Sequence, residues 1–252
     1  MVIIASLFIV KVAFVGVVLL AALLAVWELS NALATRGVRV PVVPVSIGGI
    51  AMLVGAYTGG AEVLSVAMAL TVLGSMIWRL AEGEPGFVRD ATAGAFVTAY
   101  VPLLGGFVLL LLAADDGAWR VLTFAVVTVA SDVGGYASGV ALGKHPMAPT
   151  ISPKKSWEGF AGSVAACVLA GWLLVTLGLH GDWWVGVILG LAAVVTATMG
   201  DLGESLIKRD LGIKDMGNLL PGHGGIMDRL DSLLAVAPVA WVVLQLLVPV
   251  RS

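Results

Sequence analysis

Long runs of predominantly apolar residues constrain this chain more than any other feature. Eight such runs cover most of it, at 11–33, 42–57, 62–78, 91–113, 119–142, 159–179, 183–207 and 230–250. A helix needs about 20 apolar residues to cross a bilayer, and continuous runs differ from the alternating pattern of membrane barrel strands. The sequence therefore predicts an all-α, polytopic helical membrane protein with about eight full transmembrane helices.

The composition supports this fold class. Of 252 residues, 60% are hydrophobic and 12% are charged, whereas soluble domains carry about 45–50% and about 25%. A soluble enzyme is therefore excluded, and residues 1–252 are predicted to form a single integral membrane domain. Residues 1–10 are apolar but too short to cross, so they are predicted to be an N-terminal partial span whose beginning is absent from this chain. The net charge of −2 gives no case for nucleic-acid binding.

The basic residues indicate which side of the membrane each connection faces. Eleven of the fourteen Lys and Arg residues fall in or beside every second connection, an asymmetry typical of cytoplasmic loops. The connections at 143–158 and 208–229 are therefore predicted to be cytoplasmic. The eleven basic residues are Arg36, Arg39, Arg79, Arg89, Lys144, Lys154, Lys155, Lys208, Arg209, Lys214 and Arg229.

Acidic residues within the apolar runs are the first indication of function. A charged side chain at membrane depth is costly unless it is paired, bound to a metal or hydrated, so each such acid is a candidate site residue. Glu28 lies near a cytoplasmic helix end, where pairing or snorkelling to the interface is the favoured interpretation. Asp132 lies in the middle of the run 119–142, and a pairing role and a site role both remain open.

The acids near the C-terminus form a sharper pattern. Asp201, Glu204, Ser205 and Lys208 are spaced so that they share one helix face. Asp228 and Asp231 repeat the three-residue spacing at the start of the last apolar run. Two helices joined by a cytoplasmic loop would thus each present acids at one membrane interface, and oxygen-rich clusters of this kind suit Mg²⁺. A solvated helix end is the alternative interpretation.

The segment 208–231 between these acids combines cations with glycines. Lys208, Arg209 and Lys214 precede the Gly222-His223-Gly224-Gly225 stretch, and Arg229 follows it. Glycines allow backbone N–H groups to approach an anion, and Lys and Arg neutralise its charge. With the two acidic pairs, this composition predicts a metal–polyphosphate site. His223 has two interpretations, as a phosphate contact or acid and as a residue that supports the loop.

A second basic segment, 151–159, leads into the run 159–179. Its Lys154 and Lys155 would favour anionic headgroups at a cytoplasmic membrane surface. The alternative is that these lysines only follow the positive-inside rule.

Three segments together resemble the phosphatidate cytidylyltransferases, also called CDP-diacylglycerol synthases. The family signature resembles 205–231, which reads SLIKRDLGIKDMGNLLPGHGGIMDRLD. The segment 152–159, SPKKSWEG, is similar to the family's SPKK-Thr-x-EG loop, with Ser156 in place of Thr. A stretch from Asp132 to Lys144 is similar to the family's Asp…Ala-Tyr…Gly…Gly-Lys pattern. The resemblance is specific from about residue 130 to 235, whereas the N-terminal half agrees only in hydropathy; 121–252 is therefore predicted to be the catalytic half and 1–120 the N-terminal spans.

The resemblance implies a reaction, a cofactor and a location. The implied reaction transfers the cytidylyl group of CTP to phosphatidate and gives CDP-diacylglycerol and pyrophosphate for phospholipid biosynthesis. The implied cofactor is Mg²⁺, together with a second cation such as K⁺. The protein is expected in the cell inner membrane, with its active site at the cytoplasmic face and, as in many family members, as a homodimer.

The resemblance also implies roles for single residues. The implied metal ligands are Asp201 and Asp228 in the first place, followed by Asp231, Glu204 and Asp132. The implied catalytic residues are Asp201, Asp228, Lys208, Arg229 and His223. The residues implied to bind the triphosphate or the phosphatidate are Ser152, Lys154, Lys155, Ser205, Arg209, Lys214, Gly224 and Gly225.

Two other functions compete with this one. A CTP-dependent polyprenol or phytol kinase has a related membrane architecture, but it would need a base for its alcohol substrate, and the intact signature argues against it. A cation-coupled transporter would also contain intramembrane acids. Against a transporter, the acids lie mainly at the cytoplasmic edge, beside Lys and Arg residues that would repel a cation.

Overall fold

The computed structural model describes Leu7 and residues 11–83, 85–217, 219 and 224–250. Within these residues, seven helical segments are long and apolar enough to cross a membrane. The protein is therefore a multi-pass helical membrane protein, which confirms the predicted fold class. Its α-helices are α1 (Lys11–Ala34), α2 (Val42–Ala81), α3 (Phe87–Thr98), α4 (Leu104–Ala113), α5 (Gly117–Leu142), α6 (Trp157–Leu173), α7 (Trp183–Leu211) and α8 (Met227–Leu247).

Two π-helical segments lengthen these helices. Ala99–Leu103, which contains Pro102, joins α3 to α4, so that Phe87–Ala113 forms one candidate span. Leu174–Gly178 extends α6 in the same way.

The chain divides into two compact units. The first unit is Met1–Ala113 with Asp210–Leu230, and the second is Ala114–Arg209 with Asp231–Ser252. The first unit contains α1 to α4 and the loop before α8, and the second contains α5, α6 and most of α7 and α8. The predicted single domain, with its division at residue 120, stays a prediction.

Helix α2 is a hairpin and not one straight rod. Gly60 interrupts it with φ 76° and ψ −165°, a backbone conformation that is essentially restricted to glycine. A Cβ on Gly48 would overlap the side chain of Thr71, although these residues would lie about 34 Å apart on a straight helix. The chain therefore doubles back at Gly60, and the predicted runs 42–57 and 62–78 lie on the two arms. The total number of membrane crossings stays a prediction.

Replacing Gly60 with Ala should lower the stability of the protein by about 1–3 kcal/mol, because Ala would be held in a strained conformation. A Cβ at this position meets nothing within 4 Å, so the strain would come from the backbone alone. Thermal unfolding of the purified protein in detergent measures the effect.

Gly74→Ala is the matched control, because Gly74 also has open space around a Cβ but lies on the helical second arm of α2. Ala at that position should be neutral or stabilising by up to about 1 kcal/mol. Equal Tm values for the two variants would contradict the assignment of the turn to Gly60.

A buried ion pair connects α2 to α3 in the first unit. Asp90 is fully buried, and its Oδ2 lies 3.0 Å from Nη2 of Arg79. The other oxygen accepts hydrogen bonds from the Arg89 side chain and from the backbone N–H of Arg39. These three basic residues belong to the predicted cytoplasmic set, and here they satisfy one buried carboxylate.

In the second unit, α5 and α6 pack through glycines. A Cβ on Gly134 would lie 2.7 Å from the carbonyl oxygen of Gly162, and one on Gly162 would lie 2.7 Å from that of Gly134. The two backbones therefore touch, as small residues allow in membrane helices. The hydroxyl of Ser163 also donates to the carbonyl of Ser131 at 2.6 Å. This packing fixes the part of α5 that carries Asp132.

The predicted cytoplasmic connection 143–158 contains a β-hairpin that the sequence did not predict. Strands β1 (Pro146–Ala148) and β2 (Ser152–Ser156) pair antiparallel. Glu158 closes the base of the hairpin by accepting from the backbone N–H groups of Lys144 and His145. The Ser156 hydroxyl accepts from the N–H of Gly159 at 3.1 Å and so caps α6, a role that the Thr usual in the family would equally serve.

Candidate active site

The predicted polar face of α7 is present in the second unit. Lys208 Nζ lies 3.0 Å from Oε2 of Glu204, one turn away on the helix. Glu204 is only 2% exposed, and its Oε1 has no hydrogen-bond partner among the described residues. A solvated helix end therefore does not describe Glu204, since a buried carboxylate is retained at a considerable free-energy cost.

Asp201 is the centre of this cluster. Its Oδ2 lies 2.5 Å from Nζ of Lys155, which β2 contributes. Its Oδ1 accepts a hydrogen bond of 2.5 Å from the hydroxyl of Ser232 on α8. The Asp201 side chain is 27% exposed and that of Lys155 is 25% exposed, so this ion pair is largely screened from water. The hairpin, α7 and α8 thus meet at one carboxylate.

Asp231 and Asp132 complete the acidic group. Asp231 lies close enough to Glu204 and Asp201 to interact with both electrostatically. Asp132 on α5 interacts in the same way with Asp201, Asp231 and Lys155, so it belongs to the same acidic group, and its role as a site residue stays a prediction. Four carboxylates then face the two ammonium groups of Lys155 and Lys208.

Within the described residues, no three His, Cys, Asp or Glu side chains are arranged so that they could hold a metal ion. Ion pairs and a hydrogen bond already engage several of the acidic oxygens in the second unit. Lys155 and Ser232 occupy both oxygens of Asp201, and Lys208 occupies one oxygen of Glu204. The donor atoms are of the hard oxygen type that Mg²⁺ prefers, but lysine ammonium groups neutralise them in this conformation.

The other predicted residues of the second unit lie outside this cluster. Arg209 donates from Nε to the carbonyl oxygen of Ile151 at 2.5 Å and so holds the hairpin. Ser152 pairs with Ala148 in that hairpin. Lys154 is exposed, and Ser205 is half-buried on α7.

In the first unit, Asp228 organises the loop that precedes α8. Its carboxylate accepts hydrogen bonds from the backbone N–H groups of Met216, at 3.1 and 3.2 Å, and of Gly225, at 2.7 Å. Asp228, which is predicted to be a metal ligand, therefore also stabilises the conformation of this loop. Gly224 has φ +79°, and a Cβ on it would lie 3.0 Å from Oδ2 of Asp228. This glycine is therefore required by the turn itself.

The remaining predicted residues of the first unit are on its surface or outside the described residues. Lys214 and Arg229 are exposed, and the roles predicted for them stay predictions. His223 and its neighbour Gly222 lie outside the described residues, so the role predicted for His223 stays a prediction.

Ser232 and Glu28 are two polar residues of these clusters that the sequence did not identify as site residues. Ser232 directly follows Asp231, but a lone Ser in an apolar run gives no signal of its own. For Glu28, the position near a helix end predicts pairing or snorkelling. In the structure it is 1% exposed and accepts a hydrogen bond of 2.8 Å from the backbone N–H of Met227. The rule that an intramembrane acid is a functional candidate includes Glu28, but its place near a helix end favoured the other interpretation.

Comparison with known proteins covers almost the whole chain. A phosphatidate cytidylyltransferase of Mycobacterium bovis is 43% identical over 260 residues, which cover 98% of this chain and 85% of that protein. The phosphatidate cytidylyltransferase of Mycobacterium leprae is 45% identical, over 87% of this chain and 76% of that protein. The one from Helicobacter pylori is 38% identical, over 72% and 65%.

The sequence model of the cytidylyltransferase family matches residues 1–247. The expectation that specific resemblance is confined to about 130–235 is therefore wrong, because apolar spans can be related without containing the charged motifs that mark the C-terminal half. The chain belongs to the cytidylyltransferase family and is a nucleotidyltransferase of the membrane.

Proposed function

We propose that this protein transfers the cytidylyl group of CTP to phosphatidate, releasing pyrophosphate and forming CDP-diacylglycerol for phospholipid biosynthesis. The observation that carries the proposal is the cluster around Asp201, in a chain whose relatives are named phosphatidate cytidylyltransferases. The polyprenol kinase and the transporter are not favoured, since neither accounts for family membership over residues 1–247.

The reaction does not require a strong general base from the protein. The phosphate monoester of phosphatidate has a second pKa near 6, so it is mostly a dianion at neutral pH and can attack the α-phosphorus of CTP directly. The obstacle is the repulsion between two polyanions, and fixed cations lower it by positioning and neutralisation. In this proposal Lys155 and Lys208 supply fixed cations beside the acids. The exposed Lys214 and Arg229 bind the triphosphate, and Lys154 meets the phosphatidate headgroup.

The acids fit Mg²⁺ by the type of their donor atoms. We propose that Asp201 and Asp231 hold the ion with help from Glu204 and Asp132, and the family resemblance adds Asp228 as a ligand. When bound, Mg²⁺ neutralises the triphosphate and the leaving pyrophosphate. Oδ2 of Asp201 can bind a cation only after Lys155 has moved away from that oxygen. The ammonium group of Lys155 is then available to bind a phosphate oxygen.

The location follows from charge and from the family resemblance. In this proposal the site lies at the cytoplasmic face of the plasma membrane, which the basic connections at 143–158 and 208–229 support. A second cation such as K⁺ and a homodimer are part of it as well. Light scattering of the purified protein in detergent measures the dimer.

Two labelled nucleotides separate the competing reactions. With Mg²⁺ and phosphatidate, CTP labelled at the α-phosphate should transfer its label to the lipid, whereas CTP labelled at the γ-phosphate should release its label as pyrophosphate. A kinase would give the opposite result with a polyprenol or phytol, namely γ-label in the lipid and α-label in CDP. If neither phosphatidate nor the alcohol acquires label from either nucleotide, the result contradicts the proposal.

A further inference from the structure

Glu28 on α1 is a buried carboxylate in the first unit for which the proposed mechanism has no use. It is 1% exposed, and burial of an ionised group is costly unless other groups stabilise it. Its Oε2 accepts a hydrogen bond of 2.8 Å from the backbone N–H of Met227, 199 residues along the chain. The N-terminal spans are thereby connected to the signature segment.

Met227 is the first residue of α8. The N–H groups of a first helical turn have no partner within the helix, and they carry the positive end of the helix dipole. The acid of that turn, Asp228, accepts hydrogen bonds from Met216 and Gly225 in the loop. Glu28 therefore supplies from a different helix the capping carboxylate that α8 would otherwise take from its own sequence.

Two glycines of the signature segment make room for Glu28. A Cβ on Gly225 would lie 2.5 Å from its Oε2, and one on Gly217 would lie 2.5 Å from its carboxyl carbon. Such distances are far below van der Waals contact, so any side chain at either position would displace the carboxylate. The space beside Gly225 is thus filled by an anionic group of the protein, which differs from the predicted close approach of a phosphate at that glycine.

We infer that Glu28 is a positioning residue for nucleotide binding, an inference that rests on the proposed function. Its carboxylate contacts described residues on both sides of the loop that joins Lys214 to Asp228 and Arg229 in the first turn of α8. Gly217 packs on it from one side, and Gly225 and Met227 contact it from the other. The loop then presents its cations to CTP in one fixed arrangement, and no substrate atom needs to touch Glu28.

Substitution of Glu28 tests the inference. Glu28→Ala should raise KM for CTP about 10- to 100-fold, the size expected for loss of a hydrogen bond to a charged group, and should leave KM for phosphatidate within about twofold. Glu28→Gln keeps an accepting oxygen and should recover most of the loss. Glu62→Ala is the matched control, because Glu62 is an exposed acid on α2 of the same unit, and it should behave as the wild type.

Coupling to Gly225 gives a second readout. Gly225→Ala alone should raise KM for CTP, and its effect should be much smaller in the Glu28→Ala background, because the obstructing carboxylate is gone. If Gly225→Ala has the same effect in both backgrounds, the proposed contact does not position the loop. An unchanged KM for CTP in folded Glu28→Ala protein overturns the inference as well.

Amide hydrogen exchange distinguishes this inference from the proposed reaction. In Glu28→Ala protein the amides of Met227, Gly225 and Met216 should lose protection, while those of α6 should not, whatever reaction the protein catalyses. Unaltered exchange at these amides overturns the inference even if the enzyme is active. Absence of cytidylyl transfer by the wild-type protein would contradict the proposed function and leave the exchange result standing. Should Glu28→Ala not fold, the same measurements on Glu28→Asp decide, because the shorter side chain withdraws the carboxylate from Met227 and should give the effects expected of Glu28→Ala.

Discussion

Asp228→Asn is expected to lower kcat for cytidylyl transfer about 100- to 1,000-fold and to leave the protein folded and membrane-inserted. Asn keeps an oxygen that can accept from the N–H of Met216 or Gly225, where the carboxylate now accepts from both. What is lost is a negative charge available to a divalent cation, and charge stabilisation of a transition state contributes a factor of this size.

Initial rates with α-labelled CTP and a size-exclusion profile in detergent measure activity and folding together. Asp182→Asn is the control, because Asp182 is an exposed acid in the connection between α6 and α7, and it should be fully active. Near-normal activity of folded Asp228→Asn protein would remove Asp228 from the metal ligands and leave it only its role in the loop.

The adjacent lysines of β2 should differ sharply. Lys155→Gln is expected to lower kcat/KM about 100-fold or more, since Lys155 is the fixed cation beside Asp201, with its Nζ 2.5 Å from Oδ2, and loss of one group that stabilises transition-state charge costs a factor of this size. Lys154→Gln should cost less than about tenfold, mainly as a higher KM for phosphatidate. Neighbouring residues on a strand point to opposite faces, and Lys154 is the exposed one.

Phosphatidate titrations in mixed micelles separate the two effects, and Lys154→Gln serves as the control for Lys155→Gln. The double variant Lys155→Gln/Asp201→Asn should lose less than the two single losses combined, because each single change leaves one charge of the pair without its partner. If both lysine variants keep the wild-type phosphatidate dependence and rate, the segment 151–159 is only a positive-inside connection.

Much of the fold was predictable because hydropathy and helical period are local properties of a sequence. The run 119–142 corresponds to α5 (Gly117–Leu142), and 183–207 to α7 (Trp183–Leu211). The β-hairpin was not predictable, since β2 (Ser152–Ser156) is polar along its length and has no apolar alternation. It is held by Glu158 and by Arg209, two contacts that leave no periodic signal.

The shared face of Asp201, Glu204 and Lys208 was predictable in the same way, because residues three and four apart are neighbours on any helix. The family was also evident from the order of residues in 205–231 and 152–159. These features depend on residue type and spacing alone, so they are visible without coordinates.

The partners of the acids were not predictable, because they come from distant parts of the chain. Lys155 meets Asp201 across 46 positions and Glu28 meets Met227 across 199, separations at which spacing carries no information. Helix packing brings these groups together. Helix packing places Asp132 with the acids of α7 and α8. It also buries Glu28 against the segment 205–231, where a position near a helix end had predicted only pairing or snorkelling.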